Sequence, residues 1–480
     1  MIVCKFGGTS VGTGERMANV ARIVVRTARE TNALPVVVVS AMGGVTDSLR
    51  HAAHTAAAGD RRTFGLIRDE LQQRHEQAIA DCVQDTEHAR GLRAEVSALL
   101  QDFENLCSSI HTLGELTARG MDAVSALGER LSARLVAAAL RSQGYHAQTV
   151  EATQLILTDN NFGNATPLMQ ETTERARRVL LPLLEQGVIP VVTGFIGSTR
   201  DGAVTTLGRG SGDLTATLLG RCLPADEVWI WTDVDGVMTA DPRIVPQART
   251  MPQISYGEVA ELSFFGAKVL HPLAIQPVVE PQIPVRVLNS LNPEHPGTLI
   301  SHEASEELLI KGITAIRDLS VVTVQGRGMQ GVPGVAGRVF SAVARSGASV
   351  LMITQSSSEQ NICFAVRGID TPAAVTHLER ELALEIMRGE IDSVSSLDRV
   401  AIVAVVGAGL RGKPGIAARV FKALAGQEIN IISIAQGSSE YNLSLVVEQE
   451  AVNQAVQAIH QQFALERVAA SEGIEEAQDA

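Results

Sequence analysis

Short apolar runs rich in β-branched residues alternate with longer amphipathic stretches along the first part of the chain. Met1 to Phe6 reads as a strand, followed by a glycine turn and a helix from about Glu15 to Glu30. Val36 to Ser40, Val191 to Phe195 and Val228 to Thr232 read as further strands, each ending in turn residues. Strands apolar on both faces suit burial between two helical layers. The alternation therefore predicts βαβ units around a mainly parallel sheet. From about Leu49 to Gln143 the pattern is helical with one polar face, which predicts helices laid beside that sheet.

A break falls near Leu291 to Glu307, where Asn-Pro-Glu-His-Pro-Gly and an acidic stretch interrupt the periodicity. Beyond it, Pro333 to Glu359 matches Pro414 to Glu440 without a gap, with about half the positions identical. Each copy reads strand, turn, helix, strand, strand, helix. Duplicated βαββα units commonly pair their sheets, so two modules packed together are expected.

Composition narrows the function. The 480 residues give room for two or three domains, and 45% hydrophobic with 19% charged residues is ordinary for a globular protein. A net charge of -13 argues against a nucleic-acid surface while leaving room for a local basic pocket. Five dispersed cysteines without a C-x-x-C pair fit reduced thiols in a cytoplasm better than disulfides or zinc. The N-terminus lacks a basic segment followed by a long apolar run, and Pro35 to Met42 is too short to span a bilayer. The expectation is a cytoplasmic α/β protein without membrane or nucleic-acid partners.

Candidate chemistry clusters in glycine-rich turns. Lys5 ends a strand just before Gly7-Gly8-Thr9-Ser10, where glycines admit phosphate oxygens to the backbone and a lysine can neutralise a transferring phosphoryl group. No Gly-Lys-Ser/Thr follows, so this is not a Walker loop; a surface lysine beside a tight turn would look the same. In Leu207-Gly-Arg-Gly-Ser-Gly-Asp213, before a helix from Leu214 to Cys222, Arg209 offers a fork for a carboxylate or phosphate. Asp213 could orient a lysine, bind magnesium or cap the helix. Asp233 to Gly236 begins like a calcium loop, but Ile244 stands where that loop needs Glu, which leaves an Asp/Gly turn. Lys268 sits in the apolar stretch Phe265 to Pro272, where an unpaired lysine is costly unless used. His271 has no metal-ligand spacing around it and reads as structural. Gly407-Ala-Gly-Leu-Arg-Gly412 fits a dinucleotide fingerprint superficially. Gly326 to Gly331 shares its spacing, however, and no acidic residue ends the next strand, Ile429 to Ile434.

Taken in order, Lys-Phe-Gly-Gly-Thr-Ser, Gly-Arg-Gly…Asp213, Trp231-Thr-Asp-Val-Asp-Gly…Asp-Pro-Arg243 and Phe-Gly-Ala-Lys268-Val-Leu-His-Pro closely resemble aspartokinases of the amino-acid kinase family. The tandem repeat resembles the paired ACT domains that follow that catalytic domain. The Gln355-Ser-Ser-Ser-Glu359 and Gln436-Gly-Ser-Ser-Glu440 segments look most like the kinase part of bifunctional aspartokinase–homoserine dehydrogenases. Because the sequence ends at Ala480, no dehydrogenase domain is expected. The implied architecture is an amino-acid kinase fold over residues 1–300, a mainly parallel central sheet sandwiched by helices. Two ferredoxin-like ACT domains would follow over 308–395 and 396–480.

The resemblance also implies roles. Lys5 would stabilise the transferring group, with Gly7, Gly8, Thr9 and Ser10 lining its loop. Ser40, Thr46 and Phe195 would contact L-aspartate, Glu129 would hold its ammonium and Arg209 its α-carboxylate. Asp213 would organise Lys5 and metal-bound phosphates. Thr232, Asp233, Met238, Arg243 and Lys268 would surround ATP, with Mg²⁺ as the accompanying cofactor; no residue is assigned as a resident metal ligand. Gln355, Ser356, Ser357 and Gln436 would serve an amino-acid effector, threonine first and lysine second. A homodimer or homotetramer through the ACT domains is implied too. Two positions depart from the family pattern: Ser211-Gly212-Asp213 stands where Gly-Ser-Asp is common, and Met238 where a tyrosine often lines the nucleotide pocket.

Elementary chemistry agrees with the implied reaction. The β-carboxylate of aspartate is already ionised at neutral pH, so no general base is required. The work is to align two anions and neutralise them. A rival enzyme of the same fold would phosphorylate glutamate or another carboxylate. A rival of another class would be an inactive amino-acid sensor, against which the joint presence of Lys5, Glu129, Arg209, Asp213 and Lys268 argues.

Overall fold

A computed structural model describes residues 1–208, 210–267, 270–303, 309–330, 332–356, 358, 360–410, 412–437 and 441–467. The chain forms two compact units. One comprises Met1–Val237, Pro252–Tyr256 and Val269–Glu303, the other Met238–Met251, Gly257–Lys268 and Ala304–Ala480. Two stretches N-terminal to the break, Met238–Met251 and Gly257–Lys268, thus group with the C-terminal residues.

Among the described residues nine strands precede the break and a tenth lies within it: β1 (Ile2–Phe6), β2 (Val36–Val39), β3 (Ala147–Val150), β4 (Ile189–Thr193), β5 (Ile196–Ser198), β6 (Val204–Thr206), β7 (Glu227–Thr232), β8 (Gln253–Ser255), β9 (Val285–Asn289) and β10 (Thr298–Ser301). Eight of them form one sheet in the order β3-β4-β2-β1-β7-β9-β10-β8, with β5 and β6 a separate hairpin. Every pairing in the large sheet is parallel except β9 with β10. All residues of β1, β2 and β4 are buried, which explains their unbroken apolar character. The expected strand ending at Phe195 runs instead from Ile189 to Thr193. Phe195 has a left-handed φ of 70°, which ends the extended run before it.

Helices α1 (Gly14–Glu30), α2 (Val45–Ala57), α3 (Arg61–Cys82), α4 (Thr86–Leu113), α5 (Ala118–Ser125) and α6 (Leu127–Ser142) supply the expected helical block. Their starts are written in the sequence: Thr13, Asp60, Asp85 and Thr117 accept backbone N–H groups at the N-termini of α1, α3, α4 and α5. One core joins these helices to the sheet and includes Phe6, Val37, Leu49, Leu71, Phe103, Leu131 and Trp231. Then come α7 (Met169–Glu185), α8 (Ser211–Cys222), α9 (Tyr256–Phe264) and α10 (Pro272–Val279). His271 is structural as expected, capping α10 through the Leu273 N–H. No helix among the described residues is long and apolar enough to cross a membrane.

The repeat folds into β11 (Gly312–Gln325), α11 (Val335–Arg345), β12 (Met352–Gln355), β13 (Asn361–Arg367), α12 (Thr371–Glu381) and α13 (Ala383–Met387). The second copy gives β14 (Ser393–Val406), α14 (Ile416–Ala425), β15 (Ser433–Gln436), β16 (Asn442–Glu448) and α15 (Val452–Gln462). The predicted strand Ile429 to Ile434 thus starts later, at Ser433. All six strands join one antiparallel sheet in the order β12-β13-β11-β14-β16-β15. Each module keeps its own core, and Ala240, Val245 and Ala248 belong to that of the second.

The repeated glycines now have a physical reason. A Cβ on Gly326 or Gly328 would lie 2.4–2.6 Å from Glu390, and one on Gly407 or Gly409 2.5 Å from Leu309. They let one backbone cross another, and no dinucleotide needs to be invoked.

Candidate active site

The carboxyl ends of four neighbouring parallel strands, in the order β4-β2-β1-β7, carry most of the predicted residues. The chain leaves β1 for β2 on one side and later adds β7 on the other, so the strand order reverses at β1. Such a reversal opens a crevice at the carboxyl ends of the strands.

Lys5, near the end of β1, is buried, and its Nζ lies 2.5 Å from Asp213 Oδ1. Both side chains are about nine-tenths covered, with relative exposures of 11% and 14%. Asp213 lies in the first turn of α8. That helix starts at Ser211 rather than at Leu214, and Gly210 with φ 71° precedes it. Asp213 is thus not the helix cap but the partner of Lys5.

The loops around this pair interlock through glycines. The Gly7 N–H donates to the Trp231 carbonyl at 3.2 Å, and the Gly43 N–H to the Gly8 carbonyl at 3.1 Å. A Cβ on Gly8 would meet the Ala41 carbonyl at 2.9 Å. Ser10, buried, shares a 2.8 Å hydrogen bond with Ser290, whose hydroxyl also reaches the Thr232 carbonyl. Thr9 is exposed, and its carbonyl accepts from Arg16. A Cβ at position 212 would stand 2.9 Å from Ser40 Oγ and 3.2 Å from Lys5 Cε, so Gly212 packs directly against both side chains, while the Ser211 hydroxyl turns to the Gly208 carbonyl.

A second carboxylate has a different environment. Glu129, in the first turn of α6, is 4% exposed and accepts the Ala41 N–H at 3.1 Å on Oε1. Its Oε2 is buried with no hydrogen-bond partner among the described residues. Burial pushes its pKa up to about 8, only partly offset by the Ala41 hydrogen bond. Gly128 makes this approach possible, because a Cβ there would stand 2.7 Å from the Ala41 methyl. Ser40 follows β2, Thr46 sits in the first turn of α2, and both are half-buried. The half-buried Phe195 donates its N–H to Thr215 Oγ1 in α8.

Asp122, which nothing in the sequence singled out, braces the loop leading to α8. Buried at 1% exposure, it accepts the Gly163 N–H at 2.8 Å, the Thr206 N–H at 3.0 Å and the Thr206 hydroxyl at 2.7 Å. One carboxylate in α5 thus ties the Gly163 loop to the end of β6, just before Gly208. Its only sequence signal was an acidic residue in an otherwise apolar helical face.

Thr232 ends β7 and the exposed Asp233 follows it, and Asp235 beside them accepts from Asn289 and Asn292. Met238 and Arg243 belong to the other unit: Met238 packs on its core, and Arg243 is held by Asp241. Arg209, Lys268 and Ser357 lie outside the described residues. Gln355 and Gln436 are exposed at the ends of edge strands β12 and β15, which Thr354 and Ser433 link through a 3.0 Å hydroxyl contact. Ser356 shares a 3.1 Å contact with Ser358. A polar cavity of about 600 Å³ along β3 contains none of these residues; on its wall Arg134 pairs with both Glu95 and Glu151, and Arg141 donates to the Ala147 carbonyl.

Residues 1–289 match the amino acid kinase family, and 322–382 and 403–463 match the ACT domain. The maize bifunctional aspartokinase/homoserine dehydrogenase 1 is 35% identical over 98% of this chain and 51% of its own length. The chain thus spans about half the length of that relative. Arabidopsis aspartokinase 3 is 34% identical over 96% of this chain and 81% of its own. Among solved structures, E. coli aspartokinase III in complex with aspartate and ADP superposes with a TM-score of 0.81. It is 30% identical, covering 97% of this chain and all of that one. The same enzyme with lysine and aspartate gives a TM-score of 0.77 at 32% identity, covering 96% of this chain and 99% of that one.

Proposed function

The chain belongs to the amino acid kinase family, and we propose that it transfers the terminal phosphate of ATP to the β-carboxylate of L-aspartate, giving ADP and 4-phospho-L-aspartate. This is the first step toward lysine, threonine and methionine. The observation that carries the reading is the pairing of a nine-tenths-covered lysine and aspartate at a crevice that also holds a buried, half-satisfied glutamate.

In this reaction Lys5 meets the transferring phosphoryl group, and Asp213 keeps it oriented while the crevice is empty. Gly7 and Gly8 leave room for phosphate oxygens at the backbone. Ser40, Thr46 and Phe195 line the acceptor side. Glu129 takes the substrate ammonium on its open oxygen, and Arg209 clamps the α-carboxylate. Thr232, Asp233, Met238, Arg243 and Lys268 serve the nucleotide. Mg²⁺ would be carried on the phosphates, the cation's charge offsetting theirs, with Asp213 the carboxylate at hand. The catalytic part is read as 1–300 and the regulatory parts as 308–395 and 396–480. The regulatory parts would bind threonine, or failing that lysine, near Gln355, Ser356, Ser357 and Gln436 and join chains into a homodimer or homotetramer.

Hydroxylamine trapping of the acyl phosphate tests the reaction. ATP with aspartate should give a hydroxamate and ATP with glutamate none; the reverse outcome, or no signal with either, rejects the reading.

A further inference from the structure

Thr215 stands one turn into α8 and is fully buried. A threonine inside a helix commonly turns its hydroxyl back to a carbonyl four residues earlier, and Thr215 donates in this way to the Ser211 carbonyl at 2.8 Å. Its oxygen has a second use. It accepts the Phe195 N–H at 3.1 Å, across 20 positions of sequence, and the Phe195 carbonyl in turn accepts the Leu207 N–H at 3.0 Å. Leu207 and Thr215 bracket the glycine-rich segment that carries Arg209 and Asp213. Both ends of that segment are therefore pinned to the backbone of one residue.

That residue is itself held in an unusual conformation. Phe195 has φ 70°, a left-handed value that a bulky side chain rarely adopts unless its surroundings impose it. Both of its backbone polar groups are committed, so the bonds with Thr215 and Leu207 oppose its relaxation. Just before it, the Gly194 N–H donates to the Val39 carbonyl at 2.8 Å, and a Cβ there would stand 3.3 Å from Gly212 Cα. The turn thus lies against the same glycine that packs on Ser40 and Lys5.

We propose that Thr215 is a positioning residue for the acceptor. Its hydroxyl keeps Phe195 together with both ends of the segment that carries Arg209, without touching substrate itself. This rests on the phosphotransfer reading above and deepens it, because the acceptor wall and the first turn that carries Asp213 then share one hydroxyl. Loss of that hydroxyl lets Phe195 relax out of the left-handed region and moves the acceptor off line from the phosphoryl group, and a displacement of about an ångström is enough to slow transfer.

Steady-state kinetics of the full chain with T215V, which replaces the hydroxyl with a methyl group, and T215S, which keeps it, test this. T215V should raise KM for aspartate about tenfold and lower kcat by less, with KM for ATP within about twofold of the wild type. T215S should bring KM for aspartate back to within about twofold of the wild type. The same KM for aspartate in T215V and wild type overturns the proposal, even where T215V unfolds at a lower temperature, since that is the result of a purely structural hydroxyl. If T215V does not fold, T215A removes the same hydroxyl and is read by the same split. Should another acceptor such as glutamate prove to be the substrate, the split is read on that acceptor. If the wild type turns over no acceptor, the phosphotransfer reading fails and amide exchange over 194–197 decides. Exchange about tenfold faster in T215V but not in T215S upholds the tie, and unchanged exchange overturns it.

Discussion

Two carboxylates in the same unit, Asp213 and Glu129, differ in what completes them. Asp213 opens α8 and already has its cation, Lys5, at 2.5 Å. Glu129 opens α6, is buried at 4% exposure, and has one oxygen bonded to Ala41 and the other to no described residue. The first is a closed pair whose charges balance without substrate. The second is an open site whose pKa has risen to about 8 because burial disfavours its charge. With the roles proposed above, the phosphoryl side would be built in advance, and the acceptor side finished by what binds there.

The comparison breaks most visibly at the closed pair. Lys5→Ala should lower kcat about a thousandfold with a smaller change in either KM, since the lysine acts mainly on charge that develops in transfer. It also strands Asp213, and removing one partner of a covered ion pair costs roughly 3–5 kcal/mol of stability. Thermal unfolding should therefore show the loss together with steady-state kinetics. Glu129→Gln should raise KM for aspartate by about tenfold to a hundredfold and leave KM for ATP unchanged, as expected for a lost charge-assisted bond to an ammonium. Equal effects on both substrates would remove Glu129 from the acceptor side.

Glu129 also makes a prediction for stability. Its folded-state pKa of about 8 lies above the ordinary 4.5, so the protein's affinity for that proton favours folding fully below about pH 4.5. That contribution is lost as pH rises through about 8. Chemical denaturation of Glu129→Gln at pH 6 and pH 9 should show a weaker pH dependence than wild type. The smallest effect is expected at Asp122. Asp122→Asn keeps the shape but turns one acceptor into a donor facing Gly163 or Thr206. KM for aspartate should rise about fivefold while kcat changes less, which a buried mismatch of about 1 kcal/mol would produce. A fall in thermal stability with unchanged KM would make Asp122 a purely structural brace.

Much of this was legible before the fold. β1 and β2 are buried on both faces, so their apolar runs and parallel pairing could be read directly from Ile2 to Phe6 and Val36 to Val39. Lys5 stood out because it interrupts such a run. Glu129 and Asp213 owe their difference to neighbours distant in sequence, Ala41 and Lys5, which no local pattern announces. The Ser211-Gly212 order departs from the family pattern, and the close approach of Ser40 and Lys5 to Gly212 could not be read from it. Asp122 was invisible because its partners, Gly163 in a loop and Thr206 at the end of β6, lie far from it in sequence. The stretches 238–251 and 257–268 could not be assigned to the C-terminal modules either. Their attachment rests on contacts such as Thr239 with His460 and Glu258 with Ala408, pairings that only the folded chain creates.

The claim that substrate completes Glu129 is tested most directly by calorimetric titration of aspartate at pH 7 in two buffers of different ionisation enthalpy. A carboxyl with a pKa of about 8 is mostly protonated at that pH, and a bound ammonium draws it to the charged form. Release of about one proton per bound aspartate is predicted for the wild type and none for Glu129→Gln. Proton release that is absent in the wild type, or equal in both proteins, would contradict the account.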